Sequence, residues 1–307
     1  MPRDARPLEI RHVPVLVDAV LNALHPKPGD TFVDCTLGLG GHARMILERI
    51  TPGGRLVTTD FDPRNIELAR GQLRAVPGGQ FSIHHSNFAA LPKLIAGEGI
   101  ERVDGILADL GVASPQIDDP SRGFSYRQSG PLDMRMDSGR SESAAQLLAR
   151  MGEADIRDAL LEFGDEDDAE KIAKLIVERR LESPILTTDD LTAIVCEARD
   201  FTLKRAAGAK LHPAARTFQA LRILVNRETH NLDRLLAVAP QLLKPGARIG
   251  IISFHSGEDR RVKQSFRDLH RDGVYGAISP DPISATEKEI RENPRARSAK
   301  LRWAERD

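Results

Sequence analysis

Three glycines and an aspartate in the first quarter of the chain have the spacing of a nucleotide-cofactor site. Residues 31–37 form an apolar run that favours a strand, Gly38, Gly40 and Gly41 follow, and a helical pattern begins directly afterwards. Glycine lets the backbone come close to a ligand, and the N-terminus of the helix offers unpaired N–H groups. Asp60 ends the next strand-like run, where an acid can hold the hydroxyls of a ribose. The pattern predicts a cofactor that contains a nucleoside.

This glycine turn is compatible with two classes of cofactor. Gly38, Gly40 and Ala43 satisfy the pattern G-x-G-x-x-G/A, so a nicotinamide-dependent oxidoreductase is one interpretation. S-adenosylmethionine sites use the same strand, turn and helix, with an acid at the end of the second strand, and hold no pyrophosphate. A turn that needs glycine only for its backbone conformation is the structural alternative. The turn by itself leaves the cofactor open.

Polar residues also follow two later strand-like runs. Asp109 ends the fourth run, and Ser253, His255 and Ser256 end the fifth. The carboxyl ends of the strands in an open α/β sheet face the ligand crevice, so these side chains are expected beside the glycine turn. Asp109 can accept a hydrogen bond from an amino group or favour a sulfonium, and the Ser and His residues can line a pocket for a substrate base. A Ser-His-Asp hydrolase is less favoured, because the chain has no Gly-x-Ser-x-Gly elbow.

The formal net charge of −1 conceals a separation of charge along the chain. Residues 153–170 carry a net charge of −8, whereas residues 199–234 carry +5 and residues 291–306 carry +4. Separated charge of this kind fits a molecule with one face for nucleic acid. Solvated helix surface explains the same pattern, so charge alone leaves both interpretations open.

The helical segment 212–230 has side chains suited to RNA. It places Arg216, Gln219 and Asn226 on one face, and arginine with amides suits contacts to phosphates and base edges. A merely amphipathic helix could present a similar face. The segment also opens with a proline in its first turn, which favours a helix start near residue 213.

The basic segment from Asn293 is the second candidate for RNA contact. It contains Arg295 and Arg297 with few acids, which suits an RNA backbone, although a frayed terminus has the same composition. A non-catalytic RNA-binding module would explain the basic segments, but it would leave the glycine turn and Asp60 without a role.

Composition places the chain among ordinary globular proteins. It has 307 residues, 29% of them charged, and no apolar run approaches the ~20 residues of a membrane span. Its first residues have no apolar signal core. Only Cys35 and Cys196 are present, far apart, so no disulfide framework and no metal site is expected. A cytoplasmic protein is the expectation.

The periodicity of the chain predicts a sheet domain with a helical insertion after its fourth strand. A polar loop is expected at 112–140, and the pattern from about 141 to 200 is helical throughout. The alternation around this stretch indicates a parallel sheet with right-handed crossovers. Strands are predicted near 31–37, 55–60, 80–84, 103–109 and 247–254, helices near 41–50 and 63–75, and a last edge strand near 299–304.

A series of longer motifs resembles the bacterial ribosomal RNA small subunit methyltransferase H family. The motifs extend from near residue 12 to near residue 302 in the order of the family, so the resemblance covers almost the whole chain. They are the segments 12–15, 33–42, 109–116, 122–126, 130–137, 212–226, 254–260 and 293–302.

The resemblance implies N4-methylation of a cytidine in the decoding region of 16S ribosomal RNA, with S-adenosylmethionine as donor. It also implies an α/β fold, a class I S-adenosylmethionine-dependent methyltransferase domain that is Rossmann-like with a mostly parallel sheet and an inserted small helical domain. The expected division is 1–137 for the first part of the methyltransferase domain, 138–208 for a helical insertion that recognises substrate, and 209–307 for the second part with its basic tail. The expected partner is 16S rRNA, within the small ribosomal subunit or a late assembly particle.

The resemblance also assigns site residues by motif. Asp109 is in addition the hypothesised catalytic acceptor of hydrogen bonds from the cytosine amino group. The chain departs from the family pattern at Ala113, where serine is usual, at Gly257, where leucine is usual, and in a short segment between Phe266 and Asn293. The cofactor contacts carried over are Gly40, Gly41, His42, Asp60, Phe88, Asp109 and Gln116.

Overall fold

The structure, a computed structural model, describes residues 14–139, 142–209 and 211–307. His12 and Val13 of the first family motif lie outside these residues. Within the described part of the chain, the search for a helix both long and apolar enough to span a bilayer finds none.

Backbone contacts divide the chain into two compact units. The first consists of the described residues up to Leu110 together with Leu235–Asp307, and the second is Gly111–Arg234. The second unit therefore begins earlier and ends later than the predicted insertion, 138–208. The reason is packing, because Leu132 from the preceding loop and Phe218 from the following helix are buried in the apolar core of the helical unit.

The elements follow one another in an alternating, then helical, then alternating order. The strands are β1 (Thr31–Asp34), β2 (Arg55–Asp60), β3 (Gln80–His85), β4 (Val103–Asp109), β5 (Leu243–Ser253), β6 (Tyr275–Ile278), β7 (Ile283–Ser284) and β8 (Lys300–Arg306). The helices are α1 (Val17–Leu24), α2 (Gly41–Ile50), α3 (Pro63–Arg74), α4 (Leu91–Gly97), α5 (Ser114–Asp118), α6 (Ala144–Arg150), α7 (Glu153–Gly164), α8 (Ala169–Glu182), α9 (Thr188–Ala198), α10 (Leu203–Ala207), α11 (Ala215–Asn226), α12 (Glu228–Leu242), α13 (Ser256–Arg271) and α14 (Glu287–Glu292).

The first unit is built on one sheet with the strand order β3-β2-β1-β4-β5-β8-β6, and β7 pairs with β8. Strands β1 to β5 are mutually parallel, which confirms the predicted parallel sheet. The order reverses between β1 and β4, and ligands of open α/β sheets bind at the carboxyl ends of the strands at such a point. The predicted edge strand near 299–304 is wrong in its position, because β8 runs antiparallel between β5 and β6.

Local sequence explains the elements that surround this point. Phe32 and Val33 of β1 are fully buried, and α2 buries Ala43, Ile46 and Leu47, which are spaced by three and one residues and so share one side of the helix. Helix α3 begins after Asp62, whose side chain accepts a hydrogen bond from the backbone N–H of Arg64 at 2.9 Å, an ordinary N-cap. The helices after β1 and β2 therefore start at the carboxyl edge of the sheet.

The second unit is helical, as the pattern from about 141 to 200 predicts, and apolar residues of successive helices form its core. Ile156 and Leu160 of α7, Ile172 of α8 and Leu191 of α9 are all buried together. Helix α9 starts at Thr188, and its N-cap is Thr187, whose side chain accepts the backbone N–H of Asp190. The predicted helix opening at residue 213 is shifted in the structure, since α11 begins at Ala215.

Candidate functional site

Acids stand at the ends of three adjacent parallel strands in the first unit, two of them buried and the third, Asp109, half-buried. Asp34 ends β1, Asp60 ends β2 and Asp109 ends β4, on both sides of the point where the strand order reverses. The sequence identified Asp60 and Asp109 but missed Asp34. The available signal was a charged residue at the end of an otherwise apolar run.

The glycine turn is shaped by packing as well as by access for a ligand. Gly40 has φ +86° and caps α2, and a Cβ there would lie 3.1 Å from the Cβ of Ala69 in α3. A Cβ on Gly41 would lie 2.9 Å from the ring of Pro14. The side of each glycine that a side chain would occupy is therefore filled by protein. Glycine is thus needed here for the conformation and packing of the backbone, as the structural alternative proposes. This is compatible with a bound cofactor, because the tight turn directs the start of α2 towards the carboxyl edge of the sheet.

Asp60 holds the turn in place. One carboxylate oxygen accepts a hydrogen bond from the backbone N–H of Gly38 at 2.7 Å, and the other accepts one from the N–H of Asp62 at 2.7 Å. Burial raises the pKa of Asp60 to about 6, and these two hydrogen bonds oppose the rise. The side-chain amide of Asn65 also donates to both oxygens, at the longer distances of 3.3 and 3.4 Å. These long contacts are the ones that the hydroxyls of a ribose would replace at this carboxylate.

Asp34 is tied to Asp109 through a threonine. The carboxylate of Asp34 accepts hydrogen bonds from the backbone N–H and the hydroxyl of Thr36, at 3.0 and 3.4 Å. The Thr36 hydroxyl oxygen in turn accepts the backbone N–H of Asp109 at 2.6 Å. Asp34 is 1% exposed, and burial raises its pKa to about 7. The ends of β1 and β4 are thereby locked in register at the site.

Asp109 has one buried oxygen for which the described part of the chain provides no hydrogen-bond partner. Its Oδ1 makes no hydrogen bond with any described residue, and its Oδ2 lies 3.6 Å from Nδ1 of His42. The other ring nitrogen of His42 is 2.8 Å from the carbonyl oxygen of Val15, an acceptor, so that nitrogen carries the proton. Burial raises the pKa of Asp109 well above its usual range, and the nearby charges of Asp34 and Glu258 raise it further. A ligand that brings a positive charge or an N–H donor would satisfy this oxygen and favour its ionised form.

The end of β5 contributes a second group of polar side chains. Glu258 is 6% exposed and accepts the backbone N–H of Phe254 at 2.9 Å, and its other oxygen lies 3.3 Å from Nε2 of His255. The hydroxyl of Ser253 is buried and donates to the carbonyl of Lys300 at 3.4 Å. Ser256, by contrast, is exposed as the first residue of α13. Of the three residues predicted to line a base pocket, His255 and Ser256 are better placed than Ser253.

Two predicted cofactor contacts lie outside the strand ends described above. Phe88 is half-buried and begins a 3₁₀ turn directly after β3, so it belongs to the same carboxyl edge. Gln116 lies in α5 of the second unit, is 4% exposed, and its side-chain oxygen accepts the backbone N–H of Ala113 at 2.8 Å. The amide of Gln116 therefore caps its own helix.

The three residues of α11 predicted to contact RNA have internal partners. Arg216 binds the carboxylate of Asp167 at 2.7 Å, and Gln219 donates to the carbonyl of Phe163 at 2.9 Å. Asn226 is 5% exposed, and its amide bonds the backbone of residues 134 and 136 at 2.8 Å. The polar groups of all three side chains are therefore satisfied within the protein. Their contact with RNA stays a prediction, and their placement does not support it.

Some of the opposite charges in the second unit pair with each other. Arg199, from the basic stretch, lies 3.3 Å from Glu166 and 3.1 Å from Asp168 of the acidic stretch. Together with the Arg216–Asp167 pair, these contacts make part of the separated charge an internal ion-pair network. For this unit the solvated-surface interpretation of the charge pattern gains support.

The basic segment after Asn293 is ordered and lies at the carboxyl edge. Arg295 and Arg297 are exposed in a 3₁₀ helix, Pro294–Ser298, which the side chain of Asn293 caps. The next residue pair fixes its place, because Lys300 at the start of β8 is paired with Ser253 at the end of β5. The frayed-terminus interpretation is therefore wrong for this segment.

The described residues do not form a recognisable metal-binding site. Across residues 14–139, 142–209 and 211–307, no group of three or more His, Cys, Asp or Glu side chains could hold a metal ion. Cys35 is buried, and burial raises its pKa well above the usual value, so it behaves as a packed core thiol.

Comparison with known proteins places the chain in a family. The model of the MraW methylase family matches residues 9–307. Ribosomal RNA small subunit methyltransferase H of Chromobacterium violaceum is 45% identical over 310 residues, covering 96% of this chain and 95% of that protein. The protein of the same name from Sorangium cellulosum is 42% identical over 305 residues, covering 99% and 94%.

A solved structure, an rRNA methylase from Streptococcus thermophilus, matches 94% of this chain and 93% of its own with a TM-score of 0.43 and 8% identity, too weak a likeness to carry weight. The full-length match to a methylase family excludes the oxidoreductase, the hydrolase and the non-catalytic RNA-binding module. The chain belongs to the MraW methylase family and is a methyltransferase.

Proposed function

We propose that the enzyme transfers a methyl group from S-adenosylmethionine to the N4 amino group of a cytidine in the decoding region of 16S rRNA. The observation that carries the proposal is the buried Oδ1 of Asp109, which has no hydrogen-bond partner among the described residues and lies at the point where the strand order reverses. The names of the relatives support ribosomal RNA of the small subunit as substrate.

The residues of the first unit fit this donor. S-adenosylmethionine, when bound, supplies a methyl group made electrophilic by a sulfonium. Asp60 offers acceptors for ribose hydroxyls, and the turn at Gly40 and Gly41 leaves the start of α2 facing the crevice. His42 and Phe88 stand at the same edge, and Gln116 is kept as a predicted contact from the family motif.

The amino group of cytosine is a poor nucleophile, because its lone pair is delocalised into the ring. The protein must hold that nitrogen ~3–3.5 Å from the methyl carbon and accept hydrogen bonds from its N–H groups. The free oxygen of Asp109 is the acceptor in this proposal. Burial raises the pKa of Asp109 in the absence of a ligand, and the positive charge of the donor would favour the ionised carboxylate, which can then take the proton that the nitrogen loses.

The cytidine has to leave its base stack to reach this acceptor. His255 and Ser256 lie at the end of β5 and are proposed to line the pocket for the extruded base, with Ser253 beneath them. Arg295 and Arg297, at the same edge, are proposed to bind phosphates of the RNA. The RNA is expected as part of the small ribosomal subunit or of a late assembly particle.

Replacement of Asp109 by asparagine tests the proposal. Asp109→Asn keeps an acceptor oxygen but removes the base, so kcat should fall about 10²–10⁴-fold while the affinity for S-adenosylmethionine changes far less. The measurement is methyl transfer to unmethylated small subunits, with nucleoside mass analysis to locate the methyl group. Asp18→Asn, on the exposed side of α1, is the matched control. Full turnover by Asp109→Asn would exclude the role of this carboxylate, and a methyl group on any other atom would exclude the assignment to N4.

A further inference from the structure

Helix α13 carries a row of basic side chains that the site does not use. Arg260, Lys263 and Arg267 are spaced by three and four residues, so they share one side of the helix. Arg260 and Arg267 are exposed and Lys263 is half-buried. We call these three residues the α13 row.

The opposite side of α13 packs on the sheet. Glu258, Val262 and Phe266 are buried, and the ring of Phe266 meets that of Tyr275 in β6 edge-on at 5.6 Å between centroids. The helix contacts β5, β6 and β8 along this buried side. The direction of the α13 row, away from the sheet, is thereby fixed by the core.

The acids of α13 are already occupied. Asp259 is bound by Arg302 at 2.6 Å and by Lys300 at 3.4 Å, and these contacts lower its pKa, although burial opposes them. Asp268 accepts from Gln264 at 2.9 Å and pairs with Arg271 at 3.1 Å. Over the described residues, the three members of the α13 row have no ion pair and no side-chain hydrogen bond. This is unlike the basic stretch of the second unit, where Arg199 and Arg216 are neutralised.

The α13 row begins beside the catalytic edge. Helix α13 starts three residues after β5 ends, and the Lys300–Asp259 contact places the start of β8 against its first turn. The exposed Arg297 lies just before that strand and is likewise unpaired within the described residues. From residue 260 to residue 267 a helix rises ~10 Å. Measured along the axis of a stacked strand, one phosphate follows another about every 3.4 Å. The length of the α13 row therefore corresponds to about three such steps.

Resting on the proposed function, we infer that the α13 row binds the phosphate backbone of the rRNA strand that flanks the target nucleotide. The partner is a polynucleotide rather than a lipid surface, because the row is only one residue wide, as a single phosphate backbone is. The row also leads away from the edge where the base is modified. Phosphate contacts of this kind position the strand and carry no sequence information.

The test neutralises the row and compares it with three other arginines. The variant is Arg260→Gln, Lys263→Gln and Arg267→Gln together. The control is Arg49→Gln, Arg74→Gln and Arg102→Gln, which removes the same charge from exposed side chains that have no ion pair within the described residues. These arginines lie in the segments that lead into strands β2, β3 and β4. Circular dichroism and thermal melting of both variants check that the fold is retained.

Two measurements are made on each protein. Binding of unmethylated 16S rRNA is followed from 50 to 300 mM KCl, and methyl transfer to unmethylated small subunits gives kcat and KM. Loss of three phosphate contacts should flatten the slope of log K against log[salt] by about 2 and weaken binding about 100-fold at 0.1 M salt. The KM for RNA should rise accordingly, while kcat and the affinity for S-adenosylmethionine stay within about twofold of wild type. The control should keep the wild-type slope.

The possible failures are distinguishable. If the wild type binds rRNA but transfers no methyl group to it, the proposed function is wrong while the binding data still judge the α13 row. If the row variant and the control give the same salt slope, the inference about α13 is wrong while the function stands. If the row variant binds rRNA normally but loses binding to vesicles of anionic phospholipid, the partner is a membrane surface and the inference is overturned.

Discussion

The buried carboxyl group of Asp34 should make the stability of the first unit depend on pH. Its pKa is raised from 3.8 to about 7 because burial disfavours the charged form, and the nearby charge of Asp60 adds to the rise. Between these two pH values the unfolded chain releases the proton and the folded protein keeps it. Stability is therefore retained at low pH and is lost as the pH rises from about 4 through about 7.

The size of this effect follows from the pKa difference. At 1.36 kcal/mol per pH unit, the loss is about 4 kcal/mol at pH 8 and about 1–2 kcal/mol at pH 5. Asparagine is neutral at both pH values, and its oxygen can still accept the hydrogen bonds from Thr36. Its amide replaces an oxygen, Oδ2 of Asp34, that has no partner among the described residues. Asp34→Asn should thus be about 1–2 kcal/mol more stable than wild type at pH 5 and up to about 4 kcal/mol more stable at pH 8.

The assay is guanidinium unfolding at pH 5 and pH 8, followed by the fluorescence of Trp303. This is the single tryptophan of the chain, and it lies in β8 of the first unit, so it reports on the unit that contains Asp34. Asp18→Asn on exposed α1 is the control, for which the two pH values should give the same small difference from wild type. An advantage of Asp34→Asn that does not grow between pH 5 and pH 8 would refute the reasoning.

Two further predictions concern backbone shape and a buried amide. Gly40→Ala should destabilise the first unit by about 1–3 kcal/mol, because φ is +86° and the new Cβ would lie 3.1 Å from Ala69. Gly71→Ala, a helical position with open space around it, should stabilise by about 0.5–1 kcal/mol in the same Trp303 assay, and equal effects of the two changes would contradict this account. Asn226→Ala should cost about 2–4 kcal/mol in urea unfolding followed by circular dichroism, since it leaves the Met136 N–H and the Met134 carbonyl unpaired. The salt slope of rRNA binding should not change in Asn226→Ala, and a flattened slope would instead support the predicted RNA contact.

The parallel sheet could be predicted from the sequence because its strands and helices have regular apolar periods. β2 and β4 have the predicted bounds, and the stripe of α2 is buried as its spacing requires. Asp60 and Asp109 could be found for a related reason, since topology brings the residues after successive parallel strands to one edge. The position of β8 could not be found in this way, because an apolar run does not reveal which neighbours it will pair with.

The candidate RNA residues show where pattern fails. A helical face of arginine and amides looks the same whether its partners are phosphates or its own protein, and in α11 they are Asp167, Phe163 and residues 134–136. The α13 row, by contrast, has no distinctive motif and is recognised only once the acids beside it are seen to be occupied. Asp34 is visible in the sequence as a charged residue at the end of an apolar run, but its link to Asp109 is not. That link passes through Thr36, which is 73 residues away from Asp109 in the sequence.

Because β8 is inserted between two strands that precede it, the sheet cannot be assembled in the order in which it is synthesised. β6 is made before β8 but pairs in the sheet only through it, and β5 keeps an open apolar edge until then. A nascent chain interrupted before Lys300 would expose that edge to strands of other molecules. Completion of the sheet therefore awaits one late strand, and an unfinished polypeptide would be prone to aggregate through the open edge of β5.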